Sequence, residues 1–323
     1  NTADVLGGGL YVVGGSALQL GPASGRVEIS DNVSDRGGGI YMANVGTTIA
    51  GEGLVIDGNR GVTNGGAAYI EGGARLTMER NTNLFAPPGV RGVGVIATSC
   101  DGPVECSSAS FNRTDERTGG AFYVSEASLS LNQTVLRGNF AANGSVLLIT
   151  GDSVARVQNS LIEGNDSNQN DLMRVLDGSN LAMNSTTIAG NATGPTLLHL
   201  FSDNGANNLA LFNGIIWQPG TTVLAATAID TVTSVCMNAH ETVSIVAVDD
   251  DPGFVDAAAN DYRIRSSSPN IDACADSFSV PTVDLLGRLR PADLGEDNGA
   301  GDFDRGAYEL PDLIFADGFD VLF

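Results

Sequence analysis

Short segments in which apolar and polar residues alternate recur along the chain. Examples are Arg26-Val27-Glu28-Ile29 and Ser128-Leu129-Ser130-Leu131. Such alternation predicts strands that bury one face. Strands of this length cannot bury that face alone, but strands stacked coil upon coil form parallel sheets around one continuous core. The pattern therefore favours a solenoid over a helical bundle.

A second pattern follows these segments: an apolar residue, two variable residues and an asparagine. The asparagines in this pattern are Asn32, Asn59, Asn81, Asn112, Asn139, Asn165 and Asn191. Asparagine tolerates the left-handed conformation of a sharp corner, and its amide can bond to the amide of the next coil. The spacing therefore predicts an asparagine ladder inside a parallel β-helix. Seven unrelated surface turns are the alternative interpretation.

A third motif, Gly-Gly-(Gly/Ala)-x-Tyr, occurs four times and ends at Tyr11, Tyr41, Tyr69 and Tyr123. A repeat of about 30 residues is typical of a solenoid. The interval from Tyr69 to Tyr123 is nearly double the others, which predicts a degenerate fifth copy at its midpoint, Ile96. The residues that flank each tyrosine are mostly apolar and are expected to face inward. The tyrosines are then expected to form an outward stripe that is interrupted at Ile96.

These patterns predict an all-β fold, a parallel β-helix built as a single-stranded solenoid over residues 1–248. The run Asp249-Asp250-Asp251-Pro252 is expected to mark the exit from the helix. Residues 249–323 are expected to form an irregular C-terminal capping segment and tail. The part rich in Ser, Pro, Asp and Gly is expected to wrap the open end, because an exposed terminal coil is a reactive sheet edge.

Composition narrows the classes of partner. The formal net charge of −22 disfavours nucleic acid and anionic membranes. No apolar run reaches the ~18 residues of a membrane-spanning helix. The chain begins at Asn1 without Met, which we interpret as a mature or trimmed form of a longer secreted precursor. We expect a monomer.

The chain has four cysteines, which allow three pairings. Pairing between neighbours in the sequence, Cys100 with Cys106 and Cys236 with Cys274, is the favoured prediction. Neither spacing suits a zinc site. Disulfides fit an oxidising compartment outside the cytoplasm.

The tyrosine stripe is the first candidate binding site. Tyr11, Tyr41, Tyr69 and Tyr123 would offer flat rings and hydroxyls to a polysaccharide. A structural ladder in which each ring shields the next is the alternative, because stacking alone explains the repeat.

Calcium is the candidate metal, and no cofactor is required. Asp293, Asp297, Asp302 and Asp304 lie in a Gly-rich stretch, and hard oxygen ligands on a loop suit Ca²⁺. A plain acidic loop is the alternative interpretation.

Catalytic residues are not identified by any motif. Of the two histidines, His199 lies in an apolar strand, where a structural role is favoured over that of a general base, and His240 lies in a predicted loop. No Gly-x-Ser-x-Gly motif occurs. Acidic residues are scattered along the coils, which favours a solvated edge over the convergent acids of a glycoside hydrolase.

The apolar-x-x-Asn and Gly-Gly-Ala motifs resemble the repeats of polymorphic outer membrane proteins over residues 1–215. That resemblance implies a right-handed parallel β-helix. After Asn139 the glycine pair fades, and other residues occupy its place.

The last quarter resembles the C-terminal part of bacterial choice-of-anchor secreted β-helix proteins. The motifs that carry this resemblance are Asp251-Pro252-Gly253-Phe254, Asp261-Tyr262-Arg263-Ile264, Ser268-Pro269-Asn270-Ile271-Asp272-Ala273 and Gly306-Ala307-Tyr308-Glu309. The tail Ile314-Phe315-Ala316-Asp317-Gly318-Phe319-Asp320 is similar to tails of gammaproteobacterial secreted proteins. These resemblances imply a secreted, extracellular or outer-surface location in a Gram-negative bacterium, and no defined activity.

Two functions remain open from the sequence, beside a third possibility, a processed passenger or filament-like stalk that binds no ligand. The first is a non-catalytic binding or adhesion protein that takes a polysaccharide or cell-surface glycan. The second is a polysaccharide lyase or glycoside hydrolase with a pectate-lyase-like fold.

Overall fold

The computed structural model describes residues 1–21, 27–80, 106–115, 118–168, 170–240, 247–275, 280–291 and 301–310. Within these residues the strands stack in three long parallel sheets, which confirms the predicted parallel β-helix. No helix of the described residues is long and apolar enough to cross a membrane.

The first sheet contains the strands that carry the tyrosines of the Gly-Gly-(Gly/Ala)-x-Tyr motif. Its strands, in stacking order, are β1 Leu10–Val13, β5 Ile40–Ala43, β9 Ala68–Glu71, β13 Phe122–Ser125, β16 Leu147–Thr150, β19 Met173–Leu176, β22 Thr196–Phe201 and β25 Thr222–Ala225.

The second sheet follows one corner later in each coil. Its strands are β2 Ala17–Leu20, β6 Thr48–Glu52, β10 Arg75–Glu79, β14 Ser128–Asn132, β17 Val154–Gln158, β20 Asn180–Asn184, β23 Asn208–Phe212 and β26 Thr231–Val235.

The third sheet completes each coil and leads into the asparagine corner. Its strands are β3 Val27–Ser30, β7 Leu54–Asp57, β11 Ser107–Ser110, β15 Thr134–Arg137, β18 Leu161–Glu163, β21 Thr187–Ala189, β24 Ile215–Trp217, β27 Met237–Ala239 and β28 Ala247–Val248. A short sheet beyond that corner contains β4 Val33–Arg36, β8 Arg60–Asn64 and β12 Arg113–Thr114.

One continuous core fills the solenoid. The inward residues of the first sheet, such as Ile40, Met42 and Phe122, are fully buried. They pack with the inward leucines and isoleucines of the other two sheets in a single cluster. The alternation seen in the sequence therefore identifies the inward face correctly.

The paired glycines are explained by their corner. The first glycine of each of these pairs has a positive φ, +64° at Gly37, a conformation that side chains rarely adopt. The second approaches the next coil so closely that a Cβ on Gly38 would meet the backbone of Arg60 at 2.4 Å. Both glycines are therefore required for the coils to stack at this position.

The predicted fifth copy at Ile96 is wrong. Ile96 lies outside the described residues, but β9 pairs directly with β13, so that Tyr69 is opposite Tyr123 without a coil between them. The interval from Tyr69 to Tyr123 is therefore one coil, lengthened between β10 and β11.

The asparagine ladder is present. The amide Nδ2 of Asn32 donates to Oδ1 of Asn59 at 2.9 Å, and Asn59 donates to Asn112 at 3.0 Å. The same bond continues through Asn139, Asn165 and Asn191. All of these side chains are buried, so each amide satisfies its neighbour in a dry interior.

The membership of the ladder differs from the prediction at three positions. Asn59 bonds directly to Asn112, so Asn81, which lies outside the described residues, is not between them. The apolar residue that precedes it, Met78, belongs to the second sheet opposite Leu131 and not to the third. Asn1 and Gln218 extend the ladder at its two ends.

A C-terminal segment follows the last parallel strand, β28. It includes the antiparallel strands β29 Phe254–Asp256 and β30 Asp261–Ile264, which are joined by the 3₁₀ turn Ala257–Ala259. We call the described residues 253–275, 280–291 and 301–310 the strap.

The strap lies along the side of the solenoid. Tyr262, Leu285 and Tyr308 pack on Val135, Leu161 and Ile215, which point outward from the third sheet, and together they form a second apolar cluster. Backbone bonds add to this contact, because Gly306 N donates to Asn213 O at 2.7 Å. The strap therefore covers the outer face of the third sheet, and the expectation that this segment wraps the open end stays a prediction.

A disulfide ties the strap to the last coils. Cys236, which follows β26, is bonded to Cys274 in the strap, with a Cα–Cα distance of 5.7 Å. This confirms one predicted pair. Cys106 is also disulfide-bonded, and its predicted partner Cys100 lies outside the described residues.

Candidate functional site

One row of outward side chains runs along the first sheet. Strand register places these residues opposite one another, from coil to coil, in the order Tyr11, Tyr41, Tyr69, Tyr123, Leu148, Arg174 and His199. We call this row the outer column. Its first part is aromatic and its last part is polar.

The four tyrosine rings stack on one another without interruption. The ring centroids are 5.3 Å apart between Tyr11 and Tyr41, 5.7 Å between Tyr41 and Tyr69, and 4.8 Å between Tyr69 and Tyr123. The ring planes deviate by 13° or less. This spacing follows from the separation of about 4.8 Å between neighbouring parallel strands.

Stacking changes what the tyrosines can offer to a ligand. Tyr41 and Tyr69 are each only 6% exposed, because their ring faces cover one another, whereas Tyr11 at the end of the stack is 55% exposed. The inner rings therefore present edges, and the flat surface that could stack on a sugar belongs to Tyr11. The structure thus contains the shielding ladder that the sequence allowed as an alternative, whereas ligand binding by these tyrosines stays a prediction.

Polar contacts fix the stack. The Tyr41 hydroxyl donates to the Glu71 carboxylate, and the Arg36 guanidinium lies 5.6 Å from the centre of the Tyr69 ring. Burial, followed by the hydrogen bond and charge of Glu71, raises the pKa of Tyr41 above its ordinary value. Burial and the Glu71 charge also raise the pKa of Tyr69. Both phenols therefore stay protonated and remain hydrogen-bond donors.

The polar end of the outer column is organised by one carboxylate. Asp171, at the corner before β19, has a side chain that is 9% exposed. Its Oδ2 atom accepts from Arg174 Nε at 2.7 Å and lies 3.0 Å from His199 Nδ1. The side chains of Arg174 and His199 are 27% and 34% exposed. His199 is therefore a half-exposed partner of a carboxylate, on the outer face of the sheet.

The sequence pattern identifies His199 but not its partners, Asp171 and Arg174. The signal that was missed is positional: Leu148, Arg174 and His199 occupy the same outward place in three successive coils. Aligning the coils by their inward apolar pairs, Leu147/Ile149, Met173/Val175 and Leu198/Leu200, would have revealed it.

The second histidine lies at a separate place. His240 Nδ1 is 2.7 Å from Asp249 Oδ1, and the His240 ring is 4.9 Å from the ring of Trp217. These residues are near the exit from the β-helix and do not join the outer column.

The acids predicted to bind calcium are only partly described. Asp293 and Asp297 lie outside the described residues. Asp304 is buried, and its carboxylate accepts from the backbone N–H groups of Asp272 and Leu310 at 2.9 and 2.7 Å. Among the described residues no group of three or more His, Cys, Asp or Glu side chains is placed to hold a metal ion. Calcium binding, which Asp302 would share, stays a prediction.

Asp304 instead joins a buried charged network inside the strap. Arg290 Nη1 contacts Glu309 Oε2 at 3.0 Å, and both side chains are almost fully buried. Burial raises the pKa of Asp304 to about 6, and the charge of Asp272 adds to this shift. Burial also raises the pKa of Asp284, whose carboxylate accepts from Arg288 N and Glu309 N. These acids hold the loops of the strap together.

Comparison of the chain with protein-family models, with curated proteins and with solved structures gives no match. The functional interpretation therefore depends on the residues and geometry described above.

Proposed function

We propose that the chain is a non-catalytic binding or adhesion protein whose outer column receives an extended glycan. The observation that carries the proposal is the continuous row from Tyr11 to His199 on a sheet whose outer face is not the one beneath the strap. A linear polymer that lies along the solenoid axis meets one residue of the column for each coil, about every 4.8 Å.

The exposed and the buried tyrosines of the column would serve the glycan differently. Tyr11 offers an exposed ring for stacking on a sugar, since it is 55% exposed. The inner tyrosines are held in place by stacking, so the outer face of the sheet is ordered before the ligand arrives. The side chains therefore lose little conformational entropy on binding.

The test uses the exposed ring. Tyr11→Ala is expected to weaken retention on immobilised polysaccharide about fivefold, because stacking of a ring contributes on the order of 1 kcal/mol. The unfolding temperature should change little. Phe111→Ala is the matched control, because Phe111 is 60% exposed but follows a strand of the third sheet.

Two results would contradict the proposal. One is native protein that is not retained on any neutral or acidic polysaccharide of a broad panel. The other is an equal loss of retention in Tyr11→Ala and Phe111→Ala, which would show that the position on the first sheet is immaterial.

The resemblance to polymorphic outer membrane protein repeats and to choice-of-anchor proteins supports the rest of the proposal. We place the protein outside the cell or on the outer surface of a Gram-negative bacterium, as a monomer. The disulfide between Cys236 and Cys274 is consistent with an oxidising compartment.

A polysaccharide lyase is the second candidate function, and one observation favours it. The Asp171 carboxylate is bonded to His199 Nδ1, and a carboxylate that orients an imidazole is an arrangement used by general bases. Incubation with acidic and neutral polysaccharides, with and without calcium, separates the candidates. Unsaturated sugar ends or new reducing ends would replace the binding proposal with the catalytic one.

A further inference from the structure

We infer that Arg174 and His199, ordered by Asp171, form an anion-recognition site that takes the carboxylate of a uronic-acid glycan. This inference rests on the proposed function, and it narrows the ligand from glycans in general to acidic ones. The site is the polar end of the outer column, in the strands β19 and β22.

The guanidinium is oriented for a second carboxylate. Its Nε atom donates to Asp171 Oδ2 at 2.7 Å, which fixes the plane of the group. The two terminal nitrogens carry the donors that pair with a carboxylate in a bidentate manner. With 27% of the Arg174 side chain exposed, a ligand can reach it without displacing the strand.

The imidazole next to it completes the site. Strand register places His199 opposite Arg174, one coil away. His199 Nδ1 is 3.0 Å from the same Asp171 oxygen, so the ring is held in one orientation and Nε2 is the nitrogen left to meet a ligand. The Arg174 guanidinium donates to the ligand carboxylate, and the imidazole lies beside it, about 5 Å farther along the axis. Nε2 donates to the same carboxylate when the ring carries a proton on both nitrogens.

Two acidic residues lie near this site. Asp171 is shared by Arg174 and His199, and Asp177, which directly follows β19, accepts from Thr150 Oγ1 at 2.8 Å. The net charge of −22 acts at long range, but salt screens it over about 8 Å at physiological ionic strength. Local donors therefore decide whether a carboxylate binds.

The position of the site also suits a polymer. Tyr123, the last ring of the stack, is opposite Leu148, which is opposite Arg174. Two coils separate the stack from the guanidinium, a distance of about 10 Å. One chain of sugars can therefore contact the aromatic part and the charged part of the outer column together.

The experiment is calorimetric titration with an oligogalacturonate and with its carboxyl-reduced, neutral counterpart. The native protein should bind the acidic oligomer at least tenfold more tightly. Arg174→Gln should remove about tenfold of this preference, which corresponds to the loss of one charge-assisted hydrogen-bonded pair. His199→Gln should remove a smaller part.

The matched control is Arg156→Gln, because Arg156 is an exposed arginine that points outward from the second sheet, in β17. It should leave both affinities unchanged. Thermal unfolding of each variant checks that the fold is kept, and the independent His199 variant keeps the test decisive if Arg174→Gln is destabilised.

The outcomes separate the two proposals. Equal affinity for acidic and neutral oligomers, with no effect of Arg174→Gln, would overturn the acidic-glycan site and leave the proposed function standing. Equal losses in the Arg174 and Arg156 variants would also overturn the site. Binding of neither oligomer, nor of any other polysaccharide, would overturn the proposed function itself.

Discussion

The outer faces of the first and third sheets differ although both belong to the same solenoid. On the third sheet, Val135, Leu161 and Ile215 point outward and are buried beneath the strap. On the first sheet, Tyr41 and Tyr69 point outward and are buried by neighbouring rings of their own column. One face is covered by another part of the chain, and the other face is covered by itself.

The difference shows two ways in which outward side chains of a solenoid are shielded from water. Aliphatic side chains that point outward need a separate segment to exclude water, because their burial provides the driving force. Stacked tyrosines cover one another's ring faces and direct their edges and hydroxyls outward. Their sheet therefore needs no covering segment. In the part of the chain that the structure describes, the strap thus covers the outer face of the third sheet and not the outer column of the first.

The largest expected effect comes from removing an outward side chain on the covered face. Ile215→Ala should destabilise the protein by about 3 kcal/mol, because it leaves a cavity between the third sheet and the strap. Phe201→Ala, which removes an outward ring on the first sheet that is 46% exposed, should cost less than about 0.5 kcal/mol. Urea unfolding measures both. Equal costs would show that the two faces do not differ.

A smaller loss of stability is expected from a substitution where the strap contacts the third sheet. Gly306 has φ +94°, and a Cβ there would meet Thr187 Oγ1 at 2.6 Å and Ile215 Cδ1 at 2.9 Å. Gly306→Ala should therefore destabilise the strap by about 2 kcal/mol. Gly220→Ala is the control, since it has φ +80° and no neighbour within 4 Å.

The two glycine variants separate strain from contact. Both place an alanine at a positive φ, so the excess cost at Gly306 measures docking of the strap. Hydrogen exchange of residues 301–310 should accelerate in Gly306→Ala only. Unchanged hydrogen exchange of residues 301–310 in Gly306→Ala would contradict the packing of the strap against Thr187.

The smallest expected effect is a pH dependence of the covered side. The pKa of Asp304 is raised from an ordinary value of about 3.9 to about 6, so the folded protein binds this proton more tightly than the unfolded chain. The resulting stabilisation is complete below about pH 4 and is lost as the pH rises through about 6. Between pH 5 and pH 7 its loss amounts to about 1 kcal/mol.

Asp304→Asn should remove that part of the pH dependence. The difference in unfolding free energy between native protein and variant, measured at pH 5 and pH 7, isolates this group from the other acids. A difference that stays constant with pH would show that Asp304 does not titrate in this range.

Much of the fold was predictable because stacking imposes one register on every coil. The four tyrosines occupy one place in successive coils, and six of the seven predicted asparagines, all except Asn81, belong to the ladder. Asn81 was misassigned because β10 of the second sheet also carries an inward apolar residue near its end, Met78, and three-residue spacing cannot distinguish the two sheets. Gln218 was missed because its longer side chain reaches the ladder from a different spacing.

The strap and the polar end of the column were less predictable for physical reasons. Consecutive apolar residues such as Val135-Leu136 and Leu161-Ile162 indicate burial on both faces, but they do not name the covering segment. Likewise, Asp171 comes from a corner outside the strand period, so alternation alone could not bring it to His199.

The most direct test of the difference between the two faces is hydroxyl-radical footprinting, with and without an oligogalacturonate. Without ligand, Tyr11 and Phe201 should be oxidised rapidly, and Tyr262 and Tyr308 beneath the strap should be oxidised slowly. With ligand, protection should appear at Tyr11 and His199 and should be absent at Trp217. Rapid oxidation of Tyr308 in the folded protein, or protection at Trp217 in place of the outer column, would contradict this assignment of faces.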